Sequence, residues 1–260
     1  MGIKHLLIAT AAILPAWGAA SAQDSSDYRV RVGLGPQLRP KYPGADDREL
    51  APLWDIDIAK GSNEFVFEGP DDNFGIPLYS KNGFAFGPAA NFQSARKNKD
   101  VGVPVGKVKS TFEAGAFAEY FVAPSVRIRA EALKGIGGHN GLVGSIGADQ
   151  VWRDGDRYVF SIGPRLELSD SRYQRAYFGV DSAAALASGL PTYRPDGGVH
   201  GAALASGLSY QFNSRWGVFG LAKYERLLGD AAKSPIVREY GSRNQFSGGI
   251  GLSYTFNMAR

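Results

Sequence analysis

Apolar and polar residues alternate with a period of two along most of the chain, so successive side chains point to opposite sides of an extended backbone. The last such stretch, 245–256, places six uncharged residues on one side: Phe246, Gly248, Ile250, Leu252, Tyr254 and Phe256. Its other side carries only glycine and polar residues. Stretches 28–38 and 157–168 repeat the pattern, with their charged residues on a single side. The chain is therefore predicted to be all-β, with one face of each strand free of charge.

Strand length separates two interpretations of this pattern. A soluble sheet with one solvated face also alternates, but strands of soluble proteins usually have about five or six residues. The runs here span about ten residues or more, which matches the ~9–11 residues that a tilted strand needs to cross a bilayer. Tyrosine, phenylalanine and tryptophan near their ends are typical of the aromatic girdles of outer-membrane barrels. The pattern predicts a transmembrane antiparallel up-and-down β-barrel.

Short and long connections alternate along the chain. The short ones are rich in turn formers and lie at 61–63, 80–83, 123–125, 153–156 and 213–215. The long polar ones lie at 39–49, 93–109, 134–140, 169–199 and 227–244. Outer-membrane barrels have short periplasmic turns and longer extracellular loops, which is the alternation seen here.

Twelve strands are predicted, an even number that places both chain ends in the periplasm. They cover residues 28–38, 50–58, 63–69, 73–79, 83–93, 110–121, 125–134, 141–152, 157–168, 200–212, 215–226 and 245–256. The pair 63–69 and 73–79 forms the shortest predicted hairpin. Residues 177–180 would add a thirteenth strand, so they are placed in the long outer loop 169–199, where Asp181–Ser188 is predicted to form a short helix.

Thirteen charged residues are predicted to face the lumen, because hydrocarbon offers no partners to polar groups and a strand-based membrane protein must seal its sheet. They are Arg29, Arg31, Asp55, Asp57, Glu113, Glu119, Arg127, Arg129, Glu131, Arg165, Glu167, Lys223 and Glu225. Both signs occur in similar number, which leaves two alternatives. The charges pair across neighbouring strands and partly fill the lumen, or they line a water path that strongly favours neither cations nor anions.

The first residues of the chain have the features of a secretory signal peptide. A basic start precedes the apolar run Leu6–Leu14, and Ala20 and Ala22 are small residues at the positions that signal peptidase reads. The apolar run is too short to span a membrane as a helix. We expect residues 1–22 to be cleaved and residues 23–260 to form a single outer-membrane barrel domain.

Composition excludes several other classes of protein. The absence of cysteine excludes a disulfide framework and a thiolate metal site. No later segment approaches ~18 consecutive apolar residues, so no spanning helix is predicted. The net charge is +4 and the basic residues are scattered, which gives no nucleic-acid footprint. Four lysines make the loop 93–109 basic, and it either contacts lipopolysaccharide phosphates or is simply solvated: Lys97, Lys99, Lys107 and Lys109.

Candidate catalytic and metal-binding groups are few. Beyond the signal peptide the chain has two histidines, His139 and His200, and their spacing supports no particular Ser–His–Asp set. Three acidic pairs could bind Ca²⁺ weakly or act as acid and base: Asp46 with Asp47, Asp55 with Asp57, and Asp71 with Asp72. Carboxylates in loops and lumens are more often solvated or paired with arginine. We therefore predict no catalytic residue, metal ligand or cofactor, and an enzyme acting on lipid or peptide is the least favoured alternative.

Several short stretches together resemble one known family of proteins. They are KYPGADD at 41–47, GGHNG at 137–141, YFGV at 177–180, SGLPTYRPDGG at 188–198, LLGDAAKSPIV at 227–237 and the terminal GGIGLSYTF. In this order and spacing they are similar to the MipA/OmpV family of Gram-negative outer-membrane proteins, over residues 28–256. The resemblance implies a barrel in the outer membrane without an agreed catalytic site.

The resemblance also implies partners. One family member interacts with a lytic transglycosylase and is described as a scaffold for murein-remodelling enzymes, and others are described as osmotically regulated, porin-like or adhesive. A scaffold that binds a lytic transglycosylase or murein synthase is thus the leading expectation, and a narrow porin-like channel for small polar solutes is the alternative. The aromatic residues Tyr254 and Phe256 resemble the signal that the barrel-assembly machinery reads, although four residues follow them.

Overall fold

The structure, a computed structural model, describes residues 27–258. The predicted signal peptide lies outside these residues and stays a prediction. The described chain forms one twelve-stranded sheet, and ten of its strands are long enough to cross a bilayer. The strands are β1 (Tyr28–Pro40), β2 (Arg48–Lys60), β3 (Phe74–Gly75), β4 (Tyr79–Lys81), β5 (Phe84–Gln93), β6 (Thr111–Ala123), β7 (Val126–Gly137), β8 (Leu142–Asp154), β9 (Tyr158–Ser169), β10 (Gly198–Gln211), β11 (Trp216–Leu227) and β12 (Asn244–Met258).

All strand pairs are antiparallel, which confirms the predicted fold class. The strand order is β2-β1-β12-β11-β10-β9-β8-β7-β6-β5-β3, and β4 also pairs with β5. The first and last strands meet in a ladder that pairs Tyr28 with Met258 and Leu38 with Gly248. Within residues 27–258 no ladder joins β2 to β3, β4 or β5, so the sheet curls around its interior without a continuous ring of backbone hydrogen bonds.

The two ends of the barrel differ in their connections. Tyr28 and Met258 lie at the end that carries the short turns 124–125, 155–157 and 212–215. We call this the periplasmic end, because outer-membrane barrels place their short turns in the periplasm. The opposite, outer end carries the long loops after β1, β5, β9 and β11.

The outward face of the sheet is apolar and is bounded by aromatic residues. Ile250 and Leu252 in the middle of β12 are 63% and 58% exposed. At the periplasmic end Trp216 contacts Tyr254, with 4.8 Å between ring centroids. At the outer end Tyr224 lies the same distance from Phe246. Bands of this kind hold a barrel at the two headgroup layers.

We expect Ile250→Arg to lower the free energy of unfolding by about 2–4 kcal/mol, because it puts a charge into the hydrocarbon near mid-membrane. Urea unfolding of the protein refolded into liposomes measures this change. Ile250→Val is the matched control, because it keeps the position apolar. Equal stability of the two variants would contradict the assignment of this face to lipid.

The predicted hairpin of strands 63–69 and 73–79 is wrong. Residues 61–73 contain no strand, and the chain beyond them forms only the short strands β3 and β4, both paired with β5. Pro70 and Pro77 lack the N–H group that a β-ladder requires. Residues 61–73 enter the interior of the barrel instead, and we call them the lumen segment.

Short helices occupy the connections at the outer end. They are α1 (Asn98–Val101), α2 (Ser171–Phe178), α3 (Ser182–Ser188), α4 (Gly229–Lys233) and α5 (Pro235–Tyr240). The predicted helix at Asp181–Ser188 is confirmed as α3, whose N-cap Asp181 accepts a hydrogen bond from the Ala184 N–H at 2.8 Å. Each helix in the described part of the chain is too short or too polar to cross a membrane.

Candidate functional site

The lumen segment lies against cationic side chains of the barrel wall. The buried ring of Phe65 has the guanidinium groups of Arg29 and Arg31 at 4.8 and 4.7 Å from its centroid. The buried ring of Phe67 has that of Arg127 at 4.8 Å. Aromatic faces attract cations of this kind. Two aromatic side chains that sequence alternation assigned to a membrane strand therefore pack on charges inside the barrel.

The segment also packs directly on the backbone of β10. A Cβ atom at Gly207 would lie 2.8 Å from the Cβ atom of Pro70, closer than real carbon contacts. Glycine at this position is thus required for the close approach of the two chains. The lack of a side chain at Gly207 leaves room for the Pro70 ring against β10.

Two adjacent carboxylates tie the segment to three strands. Asp72 accepts a hydrogen bond from Nη1 of Arg127 on β7 at 2.6 Å. Asp71 lies 3.0 Å from Nη2 of Arg165 on β9 and 3.1 Å from Nζ of Lys223 on β11. The expected pairing of these carboxylates with arginine is confirmed. Because the partners come from different strands, the segment crosses the lumen.

Arg127 is the centre of this network. It is 1% exposed, and its guanidinium lies 3.1 Å from Oε2 of Glu119 and 2.7 Å from Oδ2 of Asp149 in addition to its bond with Asp72. Asp149 was not among the residues predicted to face the lumen, although it shares a face of β8 with Ser145 and Gly147. A buried cation with three carboxylate partners is fully compensated in the folded barrel.

The thirteen residues predicted to face the lumen fall into three groups by their side-chain contacts. In the first, of Arg29, Arg31, Asp55 and Asp57, Nη2 of Arg31 lies 2.6 Å from Oδ2 of Asp57 and Arg29 pairs with Asp156 at 2.8 Å. The second group is Glu119, Arg127, Arg129 and Glu131. The third is Glu113, Arg165, Glu167, Lys223 and Glu225. Within the described residues, eleven of the thirteen form ion pairs; Glu113 is instead hydrogen-bonded to His139, and Glu225 has no such partner.

A chamber of about 290 Å³ lies above the lumen segment. Asp71, Asp72 and Asn73 of the segment line it from the periplasmic side, and Tyr42 and Tyr173 of the outer loops line it from the other side. The wall between them consists of charged and polar side chains from the strands. The segment therefore forms one side of a polar chamber inside the barrel.

The outer loops fold together over the chamber, and we call this assembly the lid. It joins the loops after β1, β5, β9 and β11 through an apolar cluster of buried side chains. The most deeply buried members are Tyr42, Tyr177, Phe178, Val180, Leu227, Ala231, Ile236 and Val237. Burial raises the pKa of the Tyr177 phenol. These loops were predicted to be long polar connections, and their few apolar residues become a shared core only when the four loops meet.

Polar contacts fix the lid to the chain around it. Arg96 is 2% exposed and donates from Nη1 to the backbone oxygen of Tyr177 at 2.6 Å. Ser234 donates to the backbone oxygen of Phe178 at 2.7 Å, and Gln245 of β12 donates to that of Ala45 at 3.0 Å. Burial lowers the pKa of the Arg96 guanidinium, and the neighbouring phenol groups of Tyr42 and Tyr177 oppose this effect only in part. Hydrogen bonds from three separate segments thus hold the loops in one arrangement.

His139 is a structural residue of the GGHNG turn. Its Nε2 lies 2.8 Å from Oε1 of Glu113, and its Nδ1 accepts a hydrogen bond from the Gly141 N–H at 3.0 Å. Both ring nitrogens are therefore occupied by partners other than a serine. Within residues 27–258, no group of three or more histidine, cysteine, aspartate or glutamate side chains is placed to hold a metal ion.

His200 has a different setting, which the sequence analysis missed. The ladder between β9 and β10 shifts register between Val199 and Gly201, so His200 is the bulged residue. It is 5% exposed, lines the chamber and has its ring 5.4 Å from that of Tyr173. Its Nδ1 has no hydrogen-bond partner among the described residues. The preceding sequence DGG indicates a loop and contains no signal for a bulge.

Comparison with solved structures returns outer-membrane proteins at low sequence identity. The COG4313 outer membrane channel from Pseudomonas putida F1 is 8% identical, with a TM-score of 0.42 over 94% of this chain and 100% of that chain. The CymD monoaromatic hydrocarbon channel is 11% identical, with a TM-score of 0.38 over 92% and 90%. OmpT of Vibrio cholerae is 10% identical, with a TM-score of 0.34 over 88% and 96%. No curated protein matches the chain significantly.

Family assignment comes from the sequence. The model of the family described as MltA-interacting protein MipA matches residues 32–256, which run from β1 to the end of β12. The match covers the strands, the lumen segment and the loops of the lid, and it agrees with the resemblance noted in the sequence. The chain is an outer-membrane β-barrel protein and belongs to the MipA family.

Proposed function

We propose that this protein is a non-enzymatic, non-conducting barrel that binds a murein-remodelling enzyme at the periplasmic face of the outer membrane. The observation that carries the proposal is the lumen segment. It enters the interior of the barrel and is held there by ion pairs to β7, β9 and β11, and we take it to close the lumen. A barrel that is closed in this way is better suited to binding than to diffusion of solutes.

The lumen segment also enlarges the face available to a partner. The Phe65 N–H donates to Oδ1 of Asp156 at 2.9 Å, and Arg153 donates to the Phe65 oxygen at 2.7 Å, so the segment is joined to the turn between β8 and β9. Between its two buried phenylalanines, Val66 is 61% exposed. An interface of ordinary size buries about 800 Å² on each partner, more than short turns alone provide. The segment and the turns together supply a broader surface.

The family description names the class of partner. It refers to an interaction with MltA, and the resemblance of the sequence implies a lytic transglycosylase. We extend this class to the present chain as a proposal. Lipopolysaccharide around the outer loops and the barrel-assembly machinery, reading Tyr254 and Phe256, remain proposed partners as well.

The proposal predicts that Val66→Asp reduces recovery of a murein enzyme from envelope extracts about tenfold, as expected for a residue at the centre of an interface. Affinity capture with the intact protein after mild cross-linking, followed by identification of the captured proteins, measures this. The matched control is Leu186→Asp, which makes the same kind of change at a 91% exposed position of the lid. If wild-type protein captures no murein hydrolase or synthase, or if both variants capture it equally, the periplasmic docking face is wrong.

A narrow channel for small polar solutes is the second candidate function. The chamber favours it, because its wall is charged and polar and lies on the barrel axis between the lid and the lumen segment. Conduction would require the lumen segment to move. Planar-bilayer recordings distinguish the two functions, since a barrel that stays closed gives no discrete openings.

A further inference from the structure

The chamber has more acidic than basic side chains. Its acidic lining residues are Glu49, Asp71, Asp72, Glu113, Glu131, Glu167 and Glu225, and its basic ones are Arg39, Lys41, Arg129, Arg165 and Lys223. Seven carboxylates against five cations leave two negative charges in excess. Each of the five cations already forms a salt bridge within the protein. No basic group of the lining is left over for the additional carboxylates.

Within residues 27–258, two carboxylates of the lining have no Lys or Arg partner: Glu113, which is hydrogen-bonded to His139, and Glu225. Glu225 forms no salt bridge or side-chain hydrogen bond among the described residues, although Lys223 lies two positions away on the same face. Nζ of Lys223 is directed to Glu167 at 2.8 Å and to Asp71 at 3.1 Å. The Oε1 atom of Glu225 lies 2.7 Å from the position that a Cβ atom of Gly201 would take. The absence of a side chain at Gly201 therefore makes room for the Glu225 carboxylate on the chamber wall.

His200 provides a second, independent feature at the same place. It is adjacent in sequence to Gly201, and the bulge directs it to the chamber, where it is 5% exposed. Its Nδ1 has no hydrogen-bond partner among the described residues. A buried polar atom without a partner is unfavourable unless a water molecule or a ligand supplies one.

We propose that the chamber binds a small organic cation carrying an ammonium group, with Glu225 as its counter-charge and His200 beside it. Ammonium groups carry several N–H donors and no acceptor, which suits a wall of carboxylates whose own cations are engaged. A volume of about 290 Å³ limits the ligand to a small molecule. The chamber reaches Arg39 and Lys41, whose side chains are 38% and 34% exposed at the outer rim. This site is separate from the periplasmic face and does not depend on the proposed murein partner.

Binding of 1,4-diaminobutane to the purified full-length barrel in detergent micelles, measured by isothermal titration calorimetry, tests this proposal. Two four-carbon compounds serve as matched ligands, uncharged 1,4-butanediol and the dianion succinate. We expect the diamine to bind and the other two compounds to give no heat above dilution. Equal binding of butanediol, or no binding of the diamine, would overturn the proposal.

Variants locate the site. Glu225→Gln keeps the shape of the side chain and should weaken diamine binding about tenfold or more, because it removes a charge-assisted hydrogen bond. Glu64→Gln, at an exposed position of the periplasmic end, should bind as wild type does. Unchanged heat-modifiable mobility on gels shows that both variants fold. If Glu225→Gln bound the diamine with wild-type affinity, Glu225 would not be part of the site. The same variant should still capture a murein enzyme, so the diamine site and the periplasmic docking face are tested independently.

Discussion

Replacing Arg127 with methionine should lower the free energy of unfolding by about 3–5 kcal/mol, because breaking a buried ion pair from one side leaves uncompensated charge. The guanidinium is shared by Asp72, Glu119 and Asp149, at 2.6, 3.1 and 2.7 Å. Methionine fills a similar length but donates no hydrogen bond. The three carboxylates would then lose their common partner, although Glu119 keeps Arg129 at 3.1 Å and Asp149 keeps Arg165 at 2.6 Å. Urea unfolding of the protein refolded into liposomes, followed by tryptophan fluorescence, measures the loss.

Two further variants distinguish the loss of the ion-pair network from the loss of one positive charge. Arg157→Met removes an exposed arginine that has no salt bridge within the described residues, so we expect a change within about 0.5 kcal/mol. Arg127→Lys keeps the charge but lacks the planar fork that serves three partners, so its stability should lie between the other two. An unfolding free energy of Arg127→Met equal to that of Arg157→Met would show that the network contributes no stability.

The barrel itself could be predicted because the sequence signals for strands and turns are local. A period of two fixes which face of a strand is apolar, and turn residues such as those at 155–157 mark where a strand ends. Both signals lie within a few residues of the feature that they determine. The ten long strands, the alternation of turns and loops and the helix α3 were predicted for this reason.

The lumen segment could not be recognised from the same signal. Residues 64–68 place Phe65 and Phe67 on one side of an extended chain and both glutamates on the other, which resembles a membrane strand apart from Val66. The difference from a membrane strand lies in what the aromatic side chains contact. Phe65 and Phe67 pack on guanidinium groups rather than on lipid. Those groups belong to strands far along the chain. Gly69 and Pro70 were the local signs of an interruption.

The lid and the bulge at His200 were not predictable for a similar reason. The apolar residues of the lid come from four loops, and none of these loops has enough of them to form a core alone. The bulge depends on how β10 meets β9, which is a property of a strand pair rather than of one strand. Alternation predicted which charged residues face the lumen, but their partners, and the lack of one for Glu225, depend on strands that are distant in the sequence.

The double variant Asp71→Asn/Asp72→Asn should convert a closed barrel into one with discrete openings in planar-bilayer recordings. Asparagine has nearly the shape of aspartate but no charge, so the salt bridges from the segment to Arg127, Arg165 and Lys223 are lost. Each charge-assisted hydrogen bond contributes about 1.5–3 kcal/mol. Loss of even one corresponds to a shift of about tenfold in the population of the displaced segment.

Asp46→Asn/Asp47→Asn is the matched control, since it neutralises another adjacent acidic pair in an outer loop. Among residues 27–258, Asp47 pairs only with Lys41. We expect this control and the wild-type protein to show no openings. Openings in the wild-type protein would favour the channel over the scaffold, because the segment would then move without any loss of its ion pairs. A silent but folded Asp71→Asn/Asp72→Asn variant would show that Phe65, Phe67 and Pro70 hold the segment by packing alone. Comparison of the two double variants thus shows whether salt bridges or apolar contacts hold the lumen segment in place.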